Sequence, residues 1–555
     1  MKFLKLAPFA LALGTTAIAN DATTSWEHAP SEYVTPAGMT TGAAFIDRIL
    51  PMPIDSPLRA DVWGGDNVKP RNASNGLEDP AWSYWCMSVF HHEGKEHMFA
   101  TRWPNDDPRG HSAWPQSAIV HATADKPTGP FKVESEIGPG HNVMCYRTKD
   151  GTYVLYVIGR AYQAKSLEGP WERFDLKYDT RGFPEVAMSN HTFTMREDGS
   201  YLMISRGGHV WISRDGLQPY RKITGQTPYP AVRGRFEDPV VWRDEVQYHM
   251  LVNDWFGRTA FYLRSPDGVD WTVDPGIAYD TTVARNADGT RERWYKFERP
   301  NVRQDSFGRA THLYLAVIDT GKKEDIGNDI HGSKIIAMPL VADRRMEILN
   351  KEPLAADGKI ELLIRAEDGF EPSRDLDPAA LAFGSPSEVD FGRGARVLGS
   401  EPVGNDLRLT FAAKDAGFRP DDFAGKLLGK NRKGETVTGY ARLPGKTKPT
   451  AILSPAQPRL IGRDALAVTV ENFGLAGSEP TTMMVCMKAA VGDVLERIIS
   501  VPVPALKPYE AAEVMVPIGS DWRKRGSEAR VDLLLPSGSG HSRLTTSIMA
   551  KDAEN

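Results

Sequence analysis

The chain has 555 residues, of which 41% are hydrophobic and 25% charged, an ordinary balance for folded protein at a length that calls for more than one domain. Its formal net charge of −5 supplies no basic field and argues against nucleic acid as a partner. Beyond the N-terminus no run approaches the ~20 apolar residues of a membrane-spanning helix, and three cysteines, Cys86, Cys145 and Cys486, are too few and odd in number for a disulfide framework.

Residues 1–19 read as a signal peptide. Lys2 and Lys5 give a positive start, Leu6 to Gly14 is a short apolar stretch, and Ala17-Ile18-Ala19 is a small-residue cleavage site. The mature protein is therefore expected to be secreted or periplasmic, with a polar leader over residues 20–40. From 41 to 370 one pattern recurs five times, an apolar run, a tight turn and a second apolar run. The turns are His92-Glu93-Gly94-Lys95, Lys149-Asp150-Gly151-Thr152, Glu197-Asp198-Gly199-Ser200, Arg243-Asp244-Glu245 and Ser306-Phe307-Gly308. Four short strands per repeat of roughly 50 residues predict the blades of a β-propeller. Five repeats are legible, and the flanking residues leave room for up to seven. Ala43–Ile46 and Ile360–Ile364 are the expected ring-closing strands. Residues 371–445 read as a small β domain or linker, and 446–549 as an immunoglobulin-like β-sandwich, from short strands separated by Gly, Pro and Asn.

Inner strands of a propeller deliver their first residues to one end of the central channel. Those starts are Glu78-Asp79-Pro80, Gly140-His141-Asn142, Ser189-Asn190-His191, Glu237-Asp238-Pro239 and Glu298-Arg299-Pro300. His141, His191, Asp238 and Arg299 are accordingly expected together. Histidine and arginine in such a set suit an anionic ligand, because Arg matches a carboxylate bidentately. They suit β-elimination of a uronate, which needs a neutralised carboxylate, a base for the carbon-5 proton and an acid for the departing oxygen. Imidazoles can serve both transfers. The candidates are His121, His141, His191, Arg206, Arg258 and Arg264.

Trp82-Ser83-Tyr84-Trp85-Cys86-Met87-Ser88, the stretch His97 to Trp103, Val120-His121-Ala122 with His141-Asn142 twenty residues on, and Glu237-Asp238-Pro239-Val240-Val241-Trp242 together resemble secreted propeller polysaccharide lyases. The nearest likeness is to those that release L-rhamnose from α-1,4-linked D-glucuronate; ulvan lyases are more distant. The resemblance implies a seven-bladed fold, His121 and His141 as catalytic acid and base, and Arg206 and Arg264 as a carboxylate clamp. His191, Asp238 and Arg299 complete the expected substrate-binding set. Where ulvan lyases place a catalytic tyrosine this chain has Asn190-His191, which favours histidine chemistry.

Two other readings stay open. One is a propeller glycoside hydrolase using Asp238 and Glu298 with Asp79 or Glu185. The other is a non-catalytic propeller that holds an acidic glycan on its arginines and on Trp85, Trp103 and Trp255. No cofactor is expected. A metal remains possible only if His121, His141 and His191 converge. No H-E-x-x-H, phosphate loop or G-x-S-x-G is present.

Overall fold

The computed structural model describes residues 33–183, 185, 188–217, 219–256, 258–327, 330–446, 449–489, 495–519, 528–537 and 540–549. The expected signal peptide and the first part of the expected leader lie outside the described residues.

Five antiparallel sheets follow one another along the chain. Blade 1 comprises Trp82–His92, Lys95–Pro104, Ala118–Ala124 and Lys132–Pro139. Blade 2 runs from Met144–Arg147 through Tyr153–Val157 and Arg160–Ala164 to Glu172–Phe174. Blade 3 runs from Thr192–Met195 through Tyr201–Ile204 and Val210–Ser213 to Tyr220–Lys222, with Tyr178–Asp179 added outside in parallel. Blade 4 comprises Phe236–Arg243, Tyr248–Asp254, Thr259–Ser265 and Thr272–Val273. Blade 5 has three strands, Lys296–Gln304, Ala310–Ile318 and Ser333–Pro339. The inner strand of blade 1 packs against that of blade 5, so the ring is complete at five blades rather than seven. Strands such as Tyr153–Val157 and Leu313–Ile318 are buried along their whole length, because both faces of a blade meet a neighbour. Burial of each large apolar side chain supplies about 1.5–3 kcal/mol.

Ring closure uses neither expected strand. Phe45–Arg48 is a 3₁₀ turn, and Lys359–Ile364 pairs with Asp406–Ala412 in the next domain. Instead Asn75 to Leu77 lie along the outer edge of blade 5. Leu77 and Ile335 exchange both backbone hydrogen bonds (3.0 and 3.1 Å), and the Asn75 amide receives Ala337 N–H and donates to Ala337 C=O, each at 2.8 Å. Gly76 stands between them at φ +72°, where a Cβ would lie 1.9 Å from the Ile335 carbonyl oxygen. Only glycine fits that approach.

After the propeller a seven-stranded sheet takes the order Met346–Ile348, Lys359–Ile364, Asp406–Ala412, Ala395–Val403, Ala382–Gly384, Ala424–Lys430, Thr436–Arg442. It recruits two strands assigned above to the propeller, so this layer begins near residue 346 rather than 371. The sheet curls until Arg344 N–H donates to Thr438 C=O at 2.8 Å or less, bringing its two edges side by side. Leu453 to Met549 form two facing four-stranded sheets around Val468, Val470, Val485, Val531 and Leu533, a β-sandwich. The molecule is thus all-β in its extended architecture, a propeller followed by β modules.

Candidate active site

In or just before each inner strand, one residue stands in the left-handed backbone region at the channel entrance: Cys86 (φ 50°), Asn142 (59°), Asn190 (52°), Asp238 (56°) and Arg299 (53°). Register shifts mark bulges at the same place in blades 1, 4 and 5. A bulge re-aims side chains, and a non-glycine residue at positive φ costs on the order of 1–3 kcal/mol unless its surroundings fix it. Here they do. Asn142 Nδ2 donates to Asn190 Oδ1, Asn190 Nδ2 donates to Asp238 Oδ1 at 2.6 Å, and Asp238 takes Arg299 Nη1–H at 2.5 Å and Arg299 N–H at 3.3 Å. Cys86 lies 2.9 Å from Thr101 Oγ1, and burial pushes its thiol up. All five residues are buried, so they close the channel as a ring.

The residues one step earlier, Trp85, His141, Ser189, Glu237 and Glu298, form the mouth above that ring. Glu298 is buried between Lys296 (3.1 Å) and Lys322 (2.5 Å). Burial pushes its carboxyl up, but the two ammonium groups override this and hold it below the usual range. Glu237 has no ion-pair or hydrogen-bond partner among the described residues and is only half-buried. Desolvation by the surrounding protein first, then the Asp238 and Glu298 carboxylates, push it up to about 8, because a site poor in water and beside other carboxylates resists a further negative charge. Glu237 is thus biased toward its protonated form, beside a Glu298 that two lysines hold toward its ionised form. Lys322 lies over the Trp85 indole at 4.8 Å and Lys296 over Trp255 at 4.6 Å.

Across the mouth stands His141. The Ser117 hydroxyl donates to Trp114 C=O at 2.6 Å, so it accepts from His141 Nδ1–H at 2.9 Å. That assignment leaves Nε2 as a lone-pair acceptor. Burial, Arg299 and Lys322 hold the imidazole well below its ordinary pKa, hence neutral and basic. The neighbouring Trp114 ring lies 4.7 Å from it and is 39% exposed, a free aromatic face of the kind on which sugars stack. His111 sits edge-on to Trp85 (4.7 Å) and Trp103 (5.3 Å), buried and held neutral by desolvation, Lys322 and His141.

The expected set thus divides. His141, Asp238 and Arg299 reach one end of the channel, with Asp238 and Arg299 locked in the ring. Arg206 is exposed at the rim, its N–H on Ser189 C=O at 3.0 Å. His191 points between blades, stacked on Tyr156 at 4.5 Å, and burial lowers it to about 3. His121 lies on the third strand of blade 1, bonded to His97 at 3.0 Å and stacked on Phe99, away from His141. Arg264 is buried against Asp274 at 2.8 Å, under Tyr440 of the next domain. Asp79 caps its own turn through Ala81 N–H, and Glu185 holds His209 and Lys222. Trp85 and Trp103 are buried and Trp255 is half-buried with Lys296 over its ring; the exposed tryptophan beside His141 is Trp114, a residue outside the expected set. Glu237 was passed over too; the left-handed residue that follows it is the signal, invisible in the Glu-Asp-Pro run alone.

The three histidines do not converge. Glu237, Asp238 and Glu298 do offer carboxylate oxygens within 4.8 Å of one another, but Asp238 and Glu298 are already neutralised by Arg299, Lys296 and Lys322, so a cation there would have to displace buried basic groups.

No protein-family model matches the chain, and no curated protein matches it. Among solved structures it is similar to a glycosyl hydrolase from Bacteroides ovatus (12% identity, 52% of this chain, 100% of that chain, TM-score 0.33). It is also similar to a thermostable family-43 glycoside hydrolase (10%, 47%, 90%, TM-score 0.32) and to a GH43 protein from Bacillus licheniformis (11%, 86%, 90%, TM-score 0.31). Likeness at these scores carries no argument; the fold rests on the sheet order and the fivefold recurrence of the left-handed residue.

Proposed function

We propose that the chain is a secreted or periplasmic carbohydrate-active enzyme that hydrolyses a glycosidic bond at the channel mouth, with Glu237 as the proton donor. The observation that carries this reading is Glu237 itself, a carboxyl without a partner among the described residues, biased toward its protonated form beside a Glu298 held toward its ionised form. Glu237 would protonate the departing glycosidic oxygen, and His141 Nε2 would take the proton from the water that attacks the anomeric carbon. Glu298 tunes rather than attacks. It is buried on two lysines that neutralise it, which leaves it a poor nucleophile. Trp114 supplies a stacking face and Arg206 a cationic rim, which favour an anionic glycan.

A second reading is β-elimination at a rhamnosyl-glucuronate or similar uronate linkage. The neutral His141 among Arg299 and Lys322 favours it, as the base for the carbon-5 proton, with Glu237 as the acid. The clamp and second histidine expected for it, Arg264 and His121, are both elsewhere. Digestion of a panel of neutral and acidic polysaccharides separates the readings. New reducing ends without carbon-4 to carbon-5 double-bond absorbance support hydrolysis, and the same ends with that absorbance support elimination. Glycan retention with no new ends in any digest would leave a binding protein.

A further inference from the structure

A cavity of about 490 Å³ lies at the opposite end of the propeller from the mouth, between the blade 4 and blade 5 turns and the seven-stranded sheet. Asp244 and Glu245, at its blade 4 wall, follow the strand Phe236–Arg243, so about 20 Å of extended chain separates them from Glu237. The volume falls within the ~300–1,000 Å³ of ligand pockets.

Its walls are rich in charge, and the charges do not cancel. Each lining carboxylate has its own basic partner: Glu245 on Arg345 (2.9 Å), Glu347 on Arg365, Asp343 on Arg48 (2.9 Å), and Asp244 on His249 (3.0 Å). Arg309 is likewise taken by Asp305 and Glu367. Three lining cations are left over. Arg344 lies over the Phe370 ring at 3.8 Å, Arg442 donates to the Pro266 carbonyl at 2.6 Å, and Lys351 is exposed at the rim. None of the three has a carboxylate within ion-pair distance among the described residues. Desolvation lowers the pKa of both Arg344 and Arg442, whereas the pKa of Arg309, paired to Asp305 and Glu367, is raised. The carboxylates that Arg344 and Arg442 feel lie beyond ion-pair distance, and desolvation outweighs their attraction; partly desolvated guanidinium groups facing a cavity without a contacting anion are costly, and they present the forked donors that match an oxyanion. An overall acidic chain makes the local excess more telling.

We infer that this cavity is a second binding site, separate from the mouth, for a small oxyanion-bearing ligand whose carboxylate, sulfate or phosphate group sits on Arg344 and Arg442 with Lys351 at the entrance. The inference does not depend on the reaction at the mouth.

Calorimetric titration of the full chain with glucuronate, inorganic sulfate, inorganic phosphate and neutral glucose tests it. At least one anion is expected to bind saturably and glucose not to bind; which anion binds identifies the group. Arg442→Gln and Arg344→Gln should each weaken that binding at least tenfold, whereas Glu237→Gln should leave it unchanged. Lys351→Glu, at an exposed position that does not threaten folding, should weaken it severalfold. The inference is overturned if no anion binds saturably, if glucose binds equally, if Glu237→Gln abolishes binding, or if folded Arg442→Gln and Lys351→Glu proteins bind as the parent does.

Discussion

One peptide bond separates Glu237 from Asp238 and Glu298 from Arg299, yet the two layers behave in opposite ways. In the ring, Asp238 is fully engaged by Arg299 and Asn190, and the layer is closed and buried. At the mouth, the Glu237 carboxyl has no hydrogen-bond or ion-pair partner among the described residues, and His141 leaves one nitrogen open. The backbone makes this division. The left-handed residues set Asn142, Asn190, Asp238 and Arg299 into the hydrogen-bonded ring and leave His141 and Glu237, their predecessors, at the opening. Strain is thus held by the hydrogen-bonded side chains of the ring, and chemistry by the two mouth groups, Glu237 and His141, that keep a reactive atom open.

The largest expected effect breaks the mouth. Glu237→Gln keeps the shape but cannot donate a titratable proton, and kcat should fall by roughly 10²–10⁴, the range for a positioned acid, with the melting temperature preserved. His141→Ala should lose turnover in the same range. Asp238→Asn should do the reverse. It leaves the buried Arg299 without its anion, which costs about 3–5 kcal/mol and should appear in denaturant unfolding. A ring variant that kept full stability but lost all turnover would show that the two layers are not divided as argued.

The repeats were legible because alternating apolar runs and glycine turns are local features, and each blade writes them afresh. The five repeats match the five blades; what the sequence left open was that the ring closes at five, since closure depends on Asn75 to Leu77 meeting Ile335 to Ala337 across more than 250 residues of chain. The mouth was partly legible. His141 and the Glu-Asp-Pro segment stand out in sequence, but blade 1 contributes Trp85 in place of Glu78-Asp79, because its left-handed residue is Cys86. Glu78 instead neutralises Arg71 and Lys334. The spacing of His121 and His141 suggested a pair, but a separation of twenty residues in a four-stranded blade places them on different strands with different neighbours.

A change of charge within the mouth should move a pH profile rather than abolish turnover. Glu237 donates only while protonated, so activity should decline as pH rises through about 8. Because its folded pKa lies above its ordinary 4.5, its contribution to stability is complete below that value and is lost as pH climbs toward about 8. Glu298→Gln removes one of the charges that raise Glu237, after burial and Asp238. The alkaline limb of kcat/KM should then shift to lower pH. An unmoved limb would mean that Glu298 does not sense Glu237.

The smallest expected effect belongs to His121. Its ring is fixed by His97 at 3.0 Å and by stacking on Phe99 at 5.0 Å, and desolvation with the nearby His97 lowers its pKa, so it is a neutral packing group in the outer part of blade 1. His121→Ala removes a buried contact and should cost about 0.5–3 kcal/mol of stability, while turnover measured well below the melting transition stays at the parental level. His141 is equally buried but keeps Nε2 toward the opening, and its loss should act on rate. If His121→Ala and His141→Ala proteins, both folded by circular dichroism, lost turnover to the same degree, the two imidazoles would have to meet on the substrate. Blade 1 would then need to open between its second and third strands, at the Phe99–His121 pairing that now holds them apart.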